Sequence, residues 1–370
     1  MKKRILIGIP PKEHVILALD EFDGLQKNGN YCETVNYTRN KWNATILDRI
    51  YGVLLNAVNV VMKLYEVKPD ILYLNSRVNS LGIVRDFISL VLFRILYWHK
   101  LKIIIKSHGS DTSFMEGNPF FYSRIIAPFV SSQVDAYLML SQEEKLNLLK
   151  SFPKLKGKVY VTTNIIDSNR SVKSEDFKKS NNLKENKFNF LFVGRMVKEK
   201  GVFSILKAIP HFEGRDNSKF IMVGNGDELE NLKILAKELN IEKYLHFTGF
   251  IEEVECDHFF ANCDALVFPS LDEGFSMVLF KSIASGLPVI TTQIRAAKDQ
   301  LKEPDNCLWV DGTSELSVAE ALNSIYNNQN IRIQMQKNNK QLGNKYSKES
   351  VCMEMDKVFN ELLGQKNKTE

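Results

Sequence analysis

The stretch ALVFPSLDEGFSMVLFKSIASGLPVITT, residues 265–292, decides the fold of this chain. It opens with a short apolar run, passes through Pro-Ser and an acidic pair, and continues as an apolar segment of helical length that ends at Ser-Gly. A second β-branched run follows. Continuous apolar runs on both sides of a helical segment are typical of parallel strands buried on both faces of a sheet. The stretch therefore predicts a strand, a polar loop, a helix and a second strand.

The same alternation extends along the chain. The first half contains the strand-like runs RILIGI, DILYLN, KIIIKSH, AYLMLS and VYVTTN, and the second half contains NFLFVG, FIMVG, YLHFTG, ALVFPS, LPVITT and CLWV. Helical patterns lie between them, several ending at Gly or Pro. Eleven strands are too many for one sheet in a chain of 370 residues, so we expect two α/β domains.

The apolar pattern lapses over residues 167–187, which are rich in Ser, Lys and Asn. We interpret this segment as a linker with a doubly wound, Rossmann-like domain on each side. Such domains bind ligands at the carboxyl ends of their strands. The loops that follow the strands should therefore carry the chemistry, in a cleft between the domains.

Composition and charge narrow the class of protein. The chain is 44% hydrophobic and 25% charged, as in globular proteins, and its five cysteines show no paired spacing. We expect a reduced, cytoplasmic chain without a zinc site, an export signal or a membrane-spanning segment. Residues 1–170 hold 23 Lys+Arg against 15 Asp+Glu, a net charge of +8, whereas the remainder is mildly acidic. An anionic surface or substrate for the first half, or merely uneven solvating charge, would explain this. The basic residues are too scattered for nucleic-acid binding.

Two cations follow a strand in the segment GRMVKEKG. Arg195 and Lys200 could neutralise a diphosphate without a metal, and Gly194 would allow close approach of the backbone. No carboxylate cage for magnesium is evident in the sequence. We therefore expect no metal and no resident cofactor.

Three further loops suit a nucleotide. VGNGDELENL is a Gly-rich turn in which Gly224 and Gly226 should expose backbone N–H groups. Gly249 and Phe250 could contact a nucleotide base, through the backbone and an apolar ring respectively. The loop over 269–276 leads into a helix N-terminus, which favours phosphate oxygens. Each loop alone is an ordinary connection between a strand and a helix. Only the combined order and spacing of the loops indicates a nucleotide diphosphate site.

The order GR…KEKG, VGNGDELENL, FTGF and FPSLDEGFSMVLFKSIASGLPVITT resembles the retaining, two-domain glycosyltransferases of the GT-B fold, family 4. The resemblance is specific over 190–310. It is looser in the first half, where KSHGSD, MLSQEEK and TTNIID carry it. The C-terminal segment YSKESVCMEMDKVFNELL resembles the last helix of such proteins, which crosses back to the first domain.

The resemblance implies a domain plan and a function. It implies an acceptor-binding domain over 1–170, a nucleotide-sugar donor domain over 188–345 and a returning helix over 346–370. The expected activity is retaining transfer of a sugar, from a donor that we expect to be UDP-linked, to a glycan or lipid-linked acceptor in surface polysaccharide biosynthesis. A non-catalytic nucleotide-binding or scaffolding relative in a glycan-assembly complex, or a UDP-sugar epimerase of the same fold, would be the alternatives.

The resemblance also implies roles for individual residues. Arg195 and Lys200 match the pair that holds the donor diphosphate, and Glu273 matches a carboxylate that faces the donor sugar. His108 matches a residue that contacts the sugar from the first domain, although it could simply be a packed histidine. The turn residues match those whose backbone amides meet sugar hydroxyls and phosphate: Gly274, Phe275 and Ser276.

Lys281 departs from the family pattern. It stands where the family normally has a second Glu, which accepts hydrogen bonds from the ribose hydroxyls. A Lys is a donor only, so this contact must be remade or abandoned. We expect Lys281 to add a third cation to the donor site, with a Lys turned to solvent or paired with Glu273 as the alternative.

The segment DFISLVLFRILYWHK, near residues 82–100, predicts a helix that covers the sheet of the first domain. Arg94, Trp98 and Lys100 also make it a candidate for peripheral contact with the inner face of a membrane.

Overall fold

The computed structural model describes residues 2–10, 15–37, 46–97, 99–110, 119–167, 172–181, 183 and 186–364. The chain forms two compact units. The first contains residues 1–165 together with 348–370, and the second contains residues 166–347. Trp98, Asp111 and part of the expected linker lie outside the described residues. Within that linker segment the structure has a short helix, Glu175–Ser180.

The first unit is built on a parallel sheet. Its described strands are β1 Arg4–Ile9, β2 Tyr31–Asn36, β3 Ile71–Val78, β4 Lys102–Ser110, β5 Ala136–Met139 and β6 Val159–Val161. Their order in the sheet is β2-β1-β3-β4-β5-β6, and all neighbours are parallel. The strands are apolar and largely buried because helices cover the faces of the sheet.

The helices of the first unit are Val15–Lys27, Ile46–Val67, Ser80–Leu96, Pro119–Phe121, Ala127–Gln133, Gln142–Ser151 and Lys348–Leu362, with a π-helical turn at Tyr122–Ile126 and a 3-10 turn at Pro153–Leu155. Local sequence fixes where they begin. Ser141 Oγ accepts from the Glu144 N–H at 3.1 Å, and the Glu144 carboxylate accepts from the Leu140 N–H at 3.0 Å. This arrangement satisfies two N–H groups at the helix start.

The second unit repeats the plan. Its described strands are β7 Phe188–Val193, β8 Ser218–Val223, β9 Leu245–Gly249, β10 Ala265–Phe268, β11 Val289–Thr291 and β12 Leu308–Trp309. They pair in parallel in the order β12-β11-β10-β7-β8-β9. The stretch 265–292 forms the predicted strand, loop, helix and strand.

The other helices of the second unit are Val202–Ala208, Leu229–Glu238, Glu253–Asn262, Met277–Ala284, Arg295–Gln300, Glu315–Asn327 and Gln329–Gly343. Short 3-10 turns occur at Lys198–Lys200, Ile209–His211, Arg215–Asn217, Glu242–Tyr244 and Asn344–Tyr346. One continuous apolar core fills this unit. The first unit has separate apolar clusters that lie on the two faces of its sheet.

The C-terminal helix Lys348–Leu362 packs on the first unit. Its buried side chains Val351, Cys352, Met355 and Phe359 share a cluster with strand residues of β1, β3, β4 and β5. Polar contacts hold the same helix in place, including ion pairs from Lys348 to two aspartates of the helix Val15–Lys27.

Candidate active site

The connections that follow two neighbouring strands of the second unit, β7 and β10, lead toward opposite edges of the sheet. β7 lies between β8 and β10, so the chain continues from β7 toward one edge of the sheet and later returns to build the other edge from β10. Such a switch in strand order leaves a crevice at the carboxyl ends of the two strands. The loop 194–201 follows β7, and the loop 269–276 follows β10.

Close packing at Gly201 ties these two loops together. Gly201 has a φ of 68°, and a Cβ at this position would lie 2.1 Å from the carbonyl oxygen of Pro269. Only glycine combines this left-handed conformation with so close an approach. The Glu199 carbonyl accepts from the Leu271 N–H at 2.8 Å and fixes the register of the loops.

Lys200 and Glu273 meet between the two loops. The Lys200 ammonium donates to Glu273 Oε1 in an ion pair. The two side chains are 16% and 18% exposed, so the pair is shielded but still open to solvent. The structure thus brings together a cation and a carboxylate that lie 73 residues apart in the sequence.

Arg195 is exposed, and its neighbour Met196 is fully buried. The Met196 N–H donates to the Asn225 carbonyl at 3.0 Å, and its own carbonyl accepts from the Glu228 N–H at 2.9 Å. These bonds anchor the backbone on one side of Arg195. Arg195 is therefore exposed to solvent on an anchored loop, the same loop that carries Lys200.

The glycines after β7 and β8 allow loop backbones to pack against each other. A Cβ on Gly224 would lie 2.0 Å from the Gly194 oxygen, and one on Gly226 would lie 2.6 Å from the Met196 oxygen. The Gly224 N–H donates to the Gly249 carbonyl at 2.9 Å, and the Gly226 N–H donates to Asn225 Oδ1 at 2.8 Å. The expectation that both N–H groups are open is therefore wrong in this structure, because each has a partner within the protein.

Gly249 ends β9, and Phe250 follows it. Gly249 has a φ of 72°, which turns the chain sharply, and Phe250 is 70% exposed. A large aromatic ring held in solvent beside a fixed turn can stack on a flat apolar ligand. Phe250 therefore remains a candidate contact for a nucleotide base.

The helix Met277–Ala284 begins at the end of the second loop. Ser276 is its N-cap and accepts from the Leu279 N–H at 3.4 Å. The ring of Phe275 stacks on Phe280 with centroids 4.2 Å apart, and the Gly274 carbonyl accepts from the Ala296 N–H at 3.3 Å. The turn is thus anchored on both sides of its backbone, with Glu273 at its start.

Lys281 has different partners from those expected. Its ammonium lies 2.6 Å from Asp257 Oδ1 and 2.9 Å from Glu253 Oε1, both on the helix Glu253–Asn262. Glu273 is paired with Lys200 instead, so the alternative pairing of Lys281 with Glu273 does not occur. Burial opposes the charge on Lys281, but the hydrogen bonds and charges of Asp257 and Glu253 outweigh burial and raise the pKa of Lys281 above its usual value.

His108 lies in the first unit, on β4, and is half-buried. Its Nε2 is 2.6 Å from Oδ1 of Asn75, a fully buried residue of β3 that itself donates to the Gly8 carbonyl at 3.2 Å. Because the Asn75 amide nitrogen is engaged by Gly8, its oxygen faces the imidazole and His108 Nε2 is the donor. Asn75 therefore fixes the ring orientation and tautomer of His108.

Sequence reasoning missed the supporting residues. Asn75 was visible as the polar end of the run DILYLN, and Asp257 as an acidic residue within a helix that is otherwise partly apolar. Their pairing with His108 and Lys281 could not be read from the sequence, because each pair joins separate elements. Among the described residues, no three His, Cys, Asp or Glu side chains gather as a metal site would require.

Most of the second unit matches a described family of proteins. Residues 173–342 match the family described as "Glycosyl transferases group 1". An uncharacterised glycosyltransferase of Methanocaldococcus jannaschii is 26% identical over 50% of this chain and 47% of its own length. The capsular polysaccharide biosynthesis glycosyltransferase CapM of Staphylococcus aureus is 21% identical over 85% of this chain and 82% of its own length.

A solved structure shares the fold. Anabaena HepE in complex with UDP has a TM-score of 0.73 at 14% identity, covering 98% of this chain and 100% of that one. Two doubly wound α/β domains of the GT-B type are thus the architecture of this protein, and the predicted fold class is confirmed. The match to the group 1 glycosyltransferases is confined to residues 173–342, within the second unit. The chain spans about half the length of the first of the relatives described above.

Proposed function

We propose that the protein is a retaining glycosyltransferase that moves a sugar from a nucleotide-diphosphate-sugar donor to a glycan or lipid-linked acceptor. The observation that carries this proposal is the Lys200–Glu273 pair at the switch point between β7 and β10. A cation and a carboxylate side by side match a donor whose diphosphate is anionic and whose sugar offers hydroxyl groups.

The chemistry follows from the positions of the charges. In transfer, negative charge develops on the leaving diphosphate, and fixed positive groups stabilise it without reorganising. Lys200, the exposed Arg195 and the N-terminus of the helix Met277–Ala284 would supply this charge. Glu273 would accept hydrogen bonds from the sugar, together with the backbone of Gly274.

The donor is proposed to be linked to UDP. The UDP complex of Anabaena HepE, which shares the fold, supports this choice. Phe250 would stack on the base, and the carboxylate of Glu253, held by Lys281, would meet the ribose. In this way Lys281 would belong to the donor site through its acidic partner.

The acceptor is proposed to be a surface glycan or its lipid-linked precursor, and His108 of the first unit is proposed as a further residue that contacts substrate. The name of the capsular polysaccharide relative supports a role in polysaccharide biosynthesis. Among the described helices none is both long and apolar enough to cross a bilayer. We propose that the protein acts on the cytoplasmic side of the membrane, as a peripheral protein.

Nucleotide binding is the direct test of the proposed site. We expect UDP to bind wild type, and Arg195→Ala and Lys200→Met to weaken UDP binding by about 10- to 100-fold each, since charged hydrogen bonds contribute about 1.5–3 kcal/mol. Isothermal titration with UDP and GDP measures this.

The matched control for the titration is Lys233→Ala. Lys233 is also exposed and ion-paired, with Glu230 on the helix Leu229–Glu238. Its removal changes the net charge equally but should leave affinity unchanged. If the Arg195 and Lys200 variants bind UDP as wild type does, neither residue belongs to a diphosphate site.

Metal independence is a separate prediction. Because two cations and a helix terminus supply the positive charge, transfer from a UDP-sugar should persist in excess chelator. The measurement is sugar transfer, or release of UDP from the donor, with and without EDTA. Loss of turnover on chelation, restored by magnesium or manganese, would contradict the proposal that Arg195, Lys200 and the helix N-terminus suffice to stabilise the diphosphate.

The alternatives predict different products. A non-catalytic relative would bind UDP but release none from a UDP-sugar, whatever acceptor is supplied. An epimerase would convert the donor sugar without any acceptor. Product analysis by mass spectrometry and chromatography therefore separates both alternatives from transfer.

A further inference from the structure

The ion pair of Lys200 and Glu273 joins two groups that the donor would need for different purposes. In this structure the Lys200 ammonium donates to the Glu273 carboxylate. In the proposed function Lys200 contacts the diphosphate and Glu273 contacts the sugar. An ammonium held by a carboxylate has fewer N–H groups for phosphate oxygens, and that carboxylate has fewer lone pairs for sugar hydroxyls. The two side chains therefore cannot serve the donor fully while they serve each other.

The backbone on both sides of the pair is anchored. Gly201 follows Lys200 in a left-handed conformation, and its N–H donates to the Lys198 carbonyl at 3.0 Å. In the facing loop, the residue before Glu273 is held by an ion pair, because Arg295 Nη2 lies 2.7 Å from Asp272 Oδ1. A change of partners at this site therefore requires rotation of two side chains and no movement of either loop.

The surroundings of the pair make its charges effective. The side chains of Lys200 and Glu273 are mostly shielded from solvent, and charges interact more strongly there than in bulk water. A diphosphate that contacts Lys200 also comes close to the Glu273 carboxylate. Binding of a diphosphate is therefore opposed twice, by loss of the ion pair and by repulsion between like charges.

Arg195 has no such competing partner. Its side chain is exposed, and it makes no hydrogen bond or ion pair within the part of the chain that the structure describes. A diphosphate can therefore contact Arg195 directly, whereas it gains Lys200 only when this side chain leaves Glu273. The two cations on the loop after β7 thus differ in availability.

We propose that the Lys200–Glu273 pair exchanges partners on donor binding and so discriminates between an intact nucleotide sugar and the free nucleotide diphosphate. With the intact donor, Lys200 turns to the diphosphate and Glu273 receives hydrogen bonds from the sugar in return. With the nucleotide diphosphate alone, Glu273 loses Lys200 and gains no new partner. The exchange therefore lowers affinity for the free nucleotide and favours its release after transfer, a step that limits turnover in many enzymes.

This inference rests on the proposed function, since it takes a diphosphate and a sugar as the ligands of Lys200 and Glu273. It adds a second effect of Glu273, because the carboxylate that contacts sugar also opposes binding of UDP. One consequence is specific to the exchange. Neutralising Glu273, a residue of the proposed site, should strengthen UDP binding.

Isothermal titration of the full chain with UDP tests this consequence. Glu273→Gln keeps the size of the side chain but removes its charge, and it should bind UDP about tenfold more tightly than wild type. The second probe is the UDP-sugar that wild type binds most tightly among UDP-glucose, UDP-galactose and UDP-N-acetylglucosamine. Its affinity should rise less or fall, because the sugar loses the carboxylate. Equal gains for UDP and this UDP-sugar would refute discrimination.

A double-mutant cycle with Lys200→Met separates partner exchange from simple repulsion. When residue 200 is Met, Glu273→Gln can relieve only the repulsion between the carboxylate and the diphosphate. The gain in UDP affinity should therefore fall from about tenfold to about threefold or less in that background. A gain of the same size in both backgrounds would show that Glu273 does not compete for Lys200, and would overturn the proposal.

Glu228→Gln is the matched control. The Glu228 side chain is 16% exposed and pairs at 3.4 Å with Lys198, which lies on the same loop as Lys200. The variant changes net charge equally at comparable exposure, and it should bind UDP within about twofold of wild type. Thermal melting by circular dichroism shows whether each variant is folded. A gain in UDP affinity equal to that of Glu273→Gln would reduce the effect to net charge and refute the exchange.

The same titrations distinguish failure of this inference from failure of the proposed function. If wild type binds UDP, Lys200→Met weakens binding and Glu273→Gln does not strengthen it, the proposed site stands and the exchange alone is wrong. If wild type binds neither UDP nor GDP, the proposed function is wrong and the exchange with it.

Discussion

At the residue scale, one glycine and two charged side chains explain most of the candidate site on the loops that follow β7 and β10. Gly201 is required by backbone packing, and this packing sets Lys200 opposite Glu273. The sequence indicated both residues but could not indicate that they pair, since they belong to loops that meet only in the folded sheet. In contrast, Gly224 suited a phosphate loop by its pattern, whereas its N–H is used by the neighbouring strand end.

Lys281 is the residue whose substitution is most informative. Its partner Asp257 is only 3% exposed, so Lys281→Ala leaves a buried carboxylate without its cation and should destabilise the protein by about 3 kcal/mol. Lys281→Glu should be more damaging, because it sets a third carboxylate beside Asp257 and Glu253. Both variants should also weaken binding of a UDP-sugar. Urea unfolding and donor titration measure the two effects.

Glu253→Gln provides the matched control for the stability measurement. It removes only the more exposed of the two ion pairs, so its cost in stability should be at most about 1 kcal/mol. Tighter UDP-sugar binding by Lys281→Glu than by wild type would show that Lys281 is a handicap at the site and would refute its proposed role.

At the scale of elements, the sequence predicted the strands well where both faces are buried. All eleven predicted strands occur, with bounds that differ by a few residues. Among the described strands, the one that the sequence did not predict is β2, Tyr31–Asn36, whose sequence YCETVN mixes apolar and polar residues. β2 lies at the edge of its sheet, where burial on both faces is not required, so its sequence lacks a continuous apolar run.

The helix Ile46–Val67 shows the opposite limit of sequence reasoning. Its polar residues, among them Asn56, Asn59 and Lys63, mark only one side of the helix, and the apolar remainder is wider than the part that packs on the sheet. Only the folded unit shows that one apolar side packs on the sheet and the other is exposed. The same limit applies to the segment near 82–100, where buried and exposed apolar residues alternate in a single run.

At the scale of the whole molecule, the two units differ in how the chain builds them. Residues 166–347 form the second unit without interruption, and its core is drawn from that range alone. The first unit is discontinuous, since it needs residues 348–364 from the far end of the chain. The sequence indicated a returning helix only through the resemblance, because an amphipathic helix at the C-terminus has no local feature that identifies the surface it covers.

The discontinuity gives a prediction about isolated fragments. Fragment 166–347 should fold alone, melt cooperatively and bind UDP with nearly the affinity of the full chain, since Lys200, Glu273 and the loops around them all lie within it. Fragment 1–165 should fail to fold, because it lacks Met355 and Phe359, which are 1% and 0% exposed in the core of that unit.

The energies support this difference between the fragments. Truncating a single buried Met or Phe costs about 2–5 kcal/mol, and loss of the whole helix removes four buried apolar side chains from a domain whose total stability is about 5–15 kcal/mol. Circular dichroism melting and gel filtration of both fragments, with Met355→Ala in the full chain as the milder control, test the expectation. A monomeric fragment 1–165 that melts as cooperatively as the full chain would show that the C-terminal helix is dispensable. In that case its ion pairs from Lys348 would be surface contacts of little consequence, and the first unit would be complete without the returning segment.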